Sequence, residues 1–371
     1  MIAGNGHVDL GVEVRNILVV RTSALGDVIH VLPALEALRQ LFPDARITWL
    51  VEPLGAAILE GHPSIDKLFV IPRKEWSRKL KSPWKWPGIL REIAGKIATI
   101  RRERFDLVID FQCNIRSGLS VLLSGGKVRL GFARCDCRER LGSCFTNRKA
   151  EKAPLLRQKV LKNLHLVRAL GWKGPVPEGR VAIDDSDRRW AREYVDSLSR
   201  NGPFVLVHPG VSAFGALKRW PIEYFHQFCQ RLEDELDARV SLSWGPGEEE
   251  IAQSVGRGVL APATPRLLRL AALIEASDLF VACDTGALHL AALLGTPVVG
   301  LYGPKNPLVY APYDYRGRVV TSGVPCSPCG LRTCEHRICM STIYADDVFE
   351  AAREVLAGER DRPMPCPPAP L

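Results

Sequence analysis

No uninterrupted apolar run in this sequence approaches the ~20 residues that a membrane-spanning helix needs. The N-terminus carries acids and a Gly-rich start where a secretory signal would have a basic segment followed by an apolar one, so a cytoplasmic location is expected. Also missing is a Gly-x-Gly-x-x-Gly loop after the first strand-like run. The residues there read Arg21-Thr22-Ser23-Ala24-Leu25-Gly26-Asp27, which weighs against a dinucleotide cofactor. No Asp-x-Asp pair stands at a suitable strand end to hold a metal, and no cofactor is expected. The positive charge coincides with neither an aromatic-rich sheet nor a recognisable nucleic-acid-binding motif, which disfavours a nucleic-acid partner.

What is present describes an ordinary globular protein. With 371 residues and 46% hydrophobic content, the chain can bury substantial cores and is expected to form two domains. A net charge of +9 favours acidic partners. Of the eleven cysteines, Cys113, Cys135, Cys137, Cys144, Cys229 and Cys283 are scattered and read as reduced thiols rather than a disulfide framework. Cys326, Cys329, Cys334 and Cys339 cluster. They read either as a thiol-rich loop or, from the opening Cys-x-x-Cys, as a structural zinc or iron–sulfur site.

Strand and helix patterns alternate as expected of α/β parallel sheets. In the first half, Ile17 to Arg21, Ile47 to Val51, Leu68 to Ile71, Leu107 to Phe111 and Val128 to Gly131 read as strands, and Val28 to Leu41 as a helix. Gly171 to Gly179 looks like a linker, placing the domains at 1–174 and 175–344. The pattern then restarts with strands at Phe204 to Val207, Val240 to Trp244, from Leu279, and Val298 to Leu301. Pro221 to Leu236 reads as a helix, and Thr264-Pro265 as the start of another through Ala276. Ala345 to Leu356 is the final helix, within a segment 345–357, and a Pro-rich tail over 358–371 is expected to be disordered.

The most informative stretch is Cys283-Asp284-Thr285-Gly286-Ala287-Leu288-His289, a strand end, a polar turn and a helix start. Such a helix presents free N–H groups and a positive dipole end to an anion, and a phosphate is the natural guest. Lys218 precedes a second helix start, where an ammonium suits a pyrophosphate; a solvated surface lysine is the alternative. Trp244-Gly245-Pro246-Gly247-Glu248-Glu249-Glu250 offers a carboxylate for ribose hydroxyls, or simply acids in a first helical turn. Asp27 would repel a phosphate, so it reads either as an N-cap or as a general base. Between the third and fourth strands a basic stretch, including Arg73, Lys74, Arg78, Lys79 and Lys85, is interleaved with Trp76, Trp84 and Trp86 and reads as a solvated face or as a contact for an anionic partner.

The blocks Arg21 to Pro33 (RTSALGDVIHVLP), Asp110 to Ser117 (DFQCNIRS), His208 to Pro221, Ser243 to Glu250 (SWGPGEEE) and Asp284 to His289 (DTGALH) together resemble glycosyltransferase family 9, the ADP-heptose:lipopolysaccharide heptosyltransferases. The resemblance implies a GT-B fold, with two Rossmann-like doubly wound domains facing across a cleft and a last helix returning to the first domain. It implies an inverting transfer from ADP-L-glycero-D-manno-heptose to the Kdo or heptose inner core of lipopolysaccharide, at the cytoplasmic face of the inner membrane. Asp27 takes the position of the catalytic base. Lys218, Asp284, Thr285, Gly286 and His289 fall on donor-phosphate positions, with Ser212 a weaker carry-over. Glu248 or Glu249 falls on the ribose position, and Arg73, Lys74, Arg78 and Lys79 fit an anionic acceptor and membrane surface. A nucleotide-sugar epimerase and a basic nucleic-acid-binding protein are the competing readings.

Overall fold

In a computed structural model of the protein, residues 10–153, 158–331 and 333–358 are described. The chain forms two compact units, Met1–Ala182 and Ile183–Leu371. The division falls later than the Gly/Pro-rich linker because that segment is held by the first unit: Arg180 lies 4.0 Å from Glu36, and Ala182 approaches Gly61.

The first unit contains β1 (Asn16–Val20), β2 (Arg46–Val51), β3 (Lys67–Val70), β4 (Leu107–Asp110), β5 (Val128–Gly131) and β6 (Arg148–Lys149). All pairings are parallel, in the order β3-β2-β1-β4-β5-β6. The second unit repeats the plan with β7 (Phe204–His208), β8 (Arg239–Leu242), β9 (Val259–Leu260), β10 (Leu279–Cys283), β11 (Val298–Tyr302) and β12 (Gly317–Thr321). Its order, β12-β11-β10-β7-β8-β9, is again all parallel. Helices cover both faces of such a sheet, so the central strands are apolar throughout rather than alternating; Ile17 to Val20 and Leu279 to Cys283 are fully buried. Each sheet reverses its winding once, between β1 and β4 and between β7 and β10. Loops leaving the carboxyl ends of those pairs diverge and leave room for a ligand.

Several expectations need correction. The helix expected over Val28 to Leu41 is two helices, Leu25–Ile29 and Leu32–Leu41. Pro33 has no N–H to give the Ile29 carbonyl, and its ring crowds that turn. The helix after Thr264-Pro265 starts at Leu267, with Arg266 extended at the N-cap and its guanidinium on Asp184 and Asp187 at 3.1 and 3.4 Å. The scattered cysteines are not all thiols: Cys113 and Cys137 form a disulfide with a Cα–Cα distance of 5.2 Å. The crossover after β5 brings residue 137 back over the loop after β4, a proximity that spacing along the chain does not reveal. Strands β6, β9 and β12 add to those expected, the first two being only two residues long.

The final helix matches its expected bounds, Ala345–Leu356. It packs on the helix Ile222–Leu236 and along β11 and β12. There the Arg231 guanidinium lies 3.8 Å from the centre of the Phe349 ring, and Trp220 donates to the Ile343 carbonyl at 2.8 Å. The tail expected to hang free lies, beyond Gly358, outside the described residues.

Edge strand β12 begins at Gly317, opposite Val298, with φ +134°; a Cβ there would stand 1.9 Å from the Val298 carbonyl oxygen. Gly317→Ala is therefore expected to destabilise the protein by about 2 kcal/mol or more, through steric overlap and backbone strain. The urea midpoint of the full chain, followed by circular dichroism, measures this.

Candidate functional site

In the first unit the loops after β1 and β4 are tied together. The Thr22 amide and hydroxyl donate to Gln112 Oε1 at 2.9 and 2.8 Å, and Arg21 Nη1 donates to the Phe111 carbonyl at 2.7 Å. Asp110 is fully buried at the end of β4 and accepts from the amides of Gln112 and Cys113 and from the Ser117 hydroxyl. Ser117 completes a capping box with Asn114, which starts the helix Ile115–Leu123. Asp110 thus shapes the loop.

Asp27 is not an N-cap. Ala24 holds that position, and Asp27 sits two residues into the helix Leu25–Ile29, where an acid complements the dipole. Its Oδ2 meets Arg21 Nη2 at 2.5 Å, while about a third of the side chain remains exposed. Burial raises the Asp27 pKa, but the charges of Arg21, Lys159 and His30 outweigh it and hold the carboxyl below its ordinary value. The result is an ionised carboxylate with one oxygen anchored. Arg21 adds a residue to the site that no local pattern marks, since its pairing six residues ahead, across the turn after β1, is set by the loop.

In the second unit, Thr285 caps the helix Gly286–Leu293, its hydroxyl facing the Leu288 amide at 3.4 Å. Lys218 ends the 3-10 helix Ala213–Lys218 and reaches this same end of β10. Its ammonium donates to the Asp284 carbonyl and lies 3.0 Å from Asp284 Oδ2, while His289 Nε2 lies 3.4 Å from Oδ1. Burial pushes the Asp284 carboxyl up, yet the His289 hydrogen bond and the Lys218 charge win and hold it at about 2. Asp284 is therefore an anionic post that positions a lysine and a histidine beside amides at a helix start.

Glu248 precedes the helix Glu249–Gln253 after β8. Its carboxylate accepts the Gly245 amide at 2.9 Å and lies 3.5 Å from His208 Nε2; His208 Nδ1 shares a hydrogen bond with Ser243 at 3.1 Å. Burial lowers the His208 pKa, with Glu248 opposing it. Gly210 makes room here, since a Cβ would stand 2.4 Å from Glu248 Oε2. Of the two acids open in the sequence, Glu248 is gathered at the carboxyl strand ends and Glu249 is exposed. Ser212 is exposed at the start of the 3-10 helix and makes no side-chain cap.

The basic stretch folds as the helices Arg73–Lys79 and Trp86–Arg102. Arg73 pairs with buried Glu52 at 2.6 Å and Lys79 with Glu75 at 2.6 Å, leaving Lys74 and Arg78 as exposed members of the set. Cys326, Cys329 and Cys334 are exposed and Cys339 is buried. Burial raises the Cys339 pKa, and the neighbouring thiols add to it. Among the described residues no group of three or more His, Cys, Asp or Glu is placed to hold a metal ion.

The second unit thus holds an ammonium beside a capped helix start, and the first unit holds an ionised carboxylate anchored by an arginine. The family model for glycosyltransferase family 9 (heptosyltransferase) matches residues 96–338. The chain belongs to glycosyltransferase family 9. Lipopolysaccharide heptosyltransferase 1 of Pseudomonas aeruginosa is 30% identical over 327 residues, covering 86% of this chain and 88% of that protein. The protein of the same name from Escherichia coli K12 is 28% identical over 295 residues, covering 78% and 88%. Among solved structures, E. coli heptosyltransferase WaaC with ADP superposes with a TM-score of 0.71 at 26% identity, over 92% of this chain and 99% of that one. The family 9 protein described here is accordingly a glycosyltransferase of the GT-B fold. Among its described residues no helix is long and apolar enough to cross a membrane.

Asp284→Asn is expected to leave the Lys218 ammonium held by the residue 284 carbonyl alone, loosen its position and weaken pyrophosphate binding roughly tenfold. Calorimetric titration with pyrophosphate measures it. An unchanged isotherm in a folded variant would remove this ion pair from the anion site.

Proposed function

We propose that this family 9 enzyme transfers heptose from ADP-heptose to the inner core of lipopolysaccharide, with inversion at the anomeric carbon. The observation that carries the reading is the Lys218–Asp284–His289 arrangement at the start of the helix Gly286–Leu293. As the sugar–oxygen bond breaks, negative charge accumulates on the departing β-phosphate. Fixed amides of Gly286 and Ala287, the Thr285 hydroxyl and the Lys218 ammonium stabilise that charge more in the transition state than in the bound donor. Glu248 accepts hydrogen bonds from the ribose hydroxyls. The relatives named lipopolysaccharide heptosyltransferase 1, and the related solved structure carrying ADP, support the choice of donor and acceptor class.

Asp27 is the general base. Its lowered pKa makes it a weak base toward a resting alcohol, but the acceptor hydroxyl becomes acidic as it bonds to the electron-poor anomeric carbon, and the proton then passes to the carboxylate. Arg21 keeps the carboxylate charged and oriented in the meantime. The acceptor's phosphates and carboxylates meet Lys74 and Arg78, with Arg73 and Lys79 beside them. Trp84, 85% exposed, and Trp86, 49% exposed, rest at the anionic inner face of the membrane.

Asp27→Asn is expected to lower transfer by a factor of about 10² to 10⁴ while leaving ADP affinity intact. Mass analysis of products from ADP-heptose and lipid A acceptors bearing no, one or two heptoses reads the transfer and the acceptor together. Because the Asp27 pKa is lowered and the base must be ionised, the acid limb of kcat/KM is expected below the ordinary Asp value of about 3.9. Wild-type turnover in Asp27→Asn removes it as the base. For the membrane contact, Lys74→Glu with Arg78→Glu is expected to reduce binding to phosphatidylglycerol vesicles roughly tenfold or more at low salt. Equal sedimentation of both proteins with the vesicles rejects that contact.

A further inference from the structure

The first unit contains a cavity of about 190 Å³ to which none of the roles above assigns a ligand. Its walls are Phe69, Ile71, Ile93, Ile97, Leu119 and Leu123, from the end of β3 and the helices Trp86–Arg102 and Ile115–Leu123. The long helix repeats isoleucine at 89, 93, 97 and 100, a stripe that ordinarily packs wholly onto a sheet. Only its ends, Ile89 and Ile100, are buried. Ile93 and Ile97 stay half-buried because they face the opening, and Leu119 beside them is 48% exposed.

The rim is polar and positive. Arg73, Lys96 and Arg116 line it against one carboxylate, Glu52. Arg73 engages that carboxylate at 2.6 Å, Lys96 donates to the Val70 carbonyl at 3.1 Å, and Arg116 is exposed. Thr22, on the loop leading to Asp27, also reaches the cavity. A sugar placed inside would leave its hydroxyls without partners against isoleucine, leucine and phenylalanine. A hydrocarbon chain fits these walls, and an anionic group at its end fits the cations.

We propose that this cavity receives one acyl chain of the anionic glycolipid acceptor, with a phosphate or carboxylate of the same molecule held by Arg116 and its neighbours. The proposal rests on the acceptor reading above and adds a lipid subsite to it. The acceptor would then be gripped by its apolar part as well as its charge, on the same loop system that carries Asp27.

Calorimetry of the full chain with hexyl, octyl and decyl phosphate, each below its micellar concentration, tests the chemistry directly. Affinity is expected to rise roughly fourfold for each methylene buried, then level off when the cavity is full. Inorganic phosphate and alkyltrimethylammonium of matching length are expected to bind at least about tenfold more weakly than the alkyl phosphates. Ile97→Trp, which fills the cavity, and Ser120→Phe, which narrows its rim, should each abolish the chain-length dependence with ADP affinity unchanged. Arg116→Glu should weaken every alkyl phosphate while keeping the increment per methylene. In transfer assays Ile97→Trp should raise KM roughly tenfold for an acylated acceptor and leave kcat and KM for the deacylated acceptor unaltered. No dependence on chain length in the wild type, or an undiminished one in both filling variants, overturns the proposal. Transfer to neither acceptor, with the length dependence intact, would count against the proposed heptose transfer to lipopolysaccharide and still support the cavity's ligand class.

Discussion

A carboxylate removed from water must be met by donors, and this requirement organises the carboxyl ends of both sheets. Asp284, held at about 2, is the clearest case. Its charge is tolerated because Lys218 and His289 converge on it, and their convergence fixes an ammonium beside the free amides of a helix. Remove the carboxylate and the lysine keeps only the Asp284 backbone carbonyl as its partner. The same demand for donors is met at Asp27 by Arg21 and at Asp110 by two amides and a hydroxyl, although at Asp110 burial outweighs them and raises the pKa. The three acids do different work because their partners differ: one positions a cation, one is left partly open, and one is wholly consumed in shaping a turn.

These pairings depend on the strand order. In each unit the winding reverses once, so two loops start from the ends of neighbouring parallel strands, where their side chains meet before the chains turn apart. Thr22 and Gln112 are joined in this way in the first unit, and Lys218 and Asp284 in the second. The two units share this order, although no strong internal sequence repeat is apparent. The common element is the physics of the parallel sheet rather than a copied set of residues.

The first unit brings apolar and charged surface together. Its central sheet is packed on both faces, yet the helix Trp86–Arg102 buries only two of its residues. The surrounding surface carries exposed tryptophans and cations. A segment so rich in Lys and Arg gains little from folding tightly onto the sheet, and its incomplete packing leaves apolar walls open next to positive charge. The proposed acyl-chain subsite rests on that pairing of apolar wall and charge.

The sequence by itself determined the periodicity of the strands and helices, the polar turn before Gly286 and the family blocks, because each is local: buried parallel strands demand apolar runs, and a helix start demands a cap. Asp27 and Lys218 were visible as candidates for the same reason. Only the tertiary structure decided what those residues touch. The Cys113–Cys137 disulfide, the anchoring of Asp27 by Arg21, the meeting of His208 with Glu248 and the apolar cavity all arise from through-space contacts or packing. Such contacts are set by crossovers and loop paths, and the residues they join carry no periodic signal along the chain.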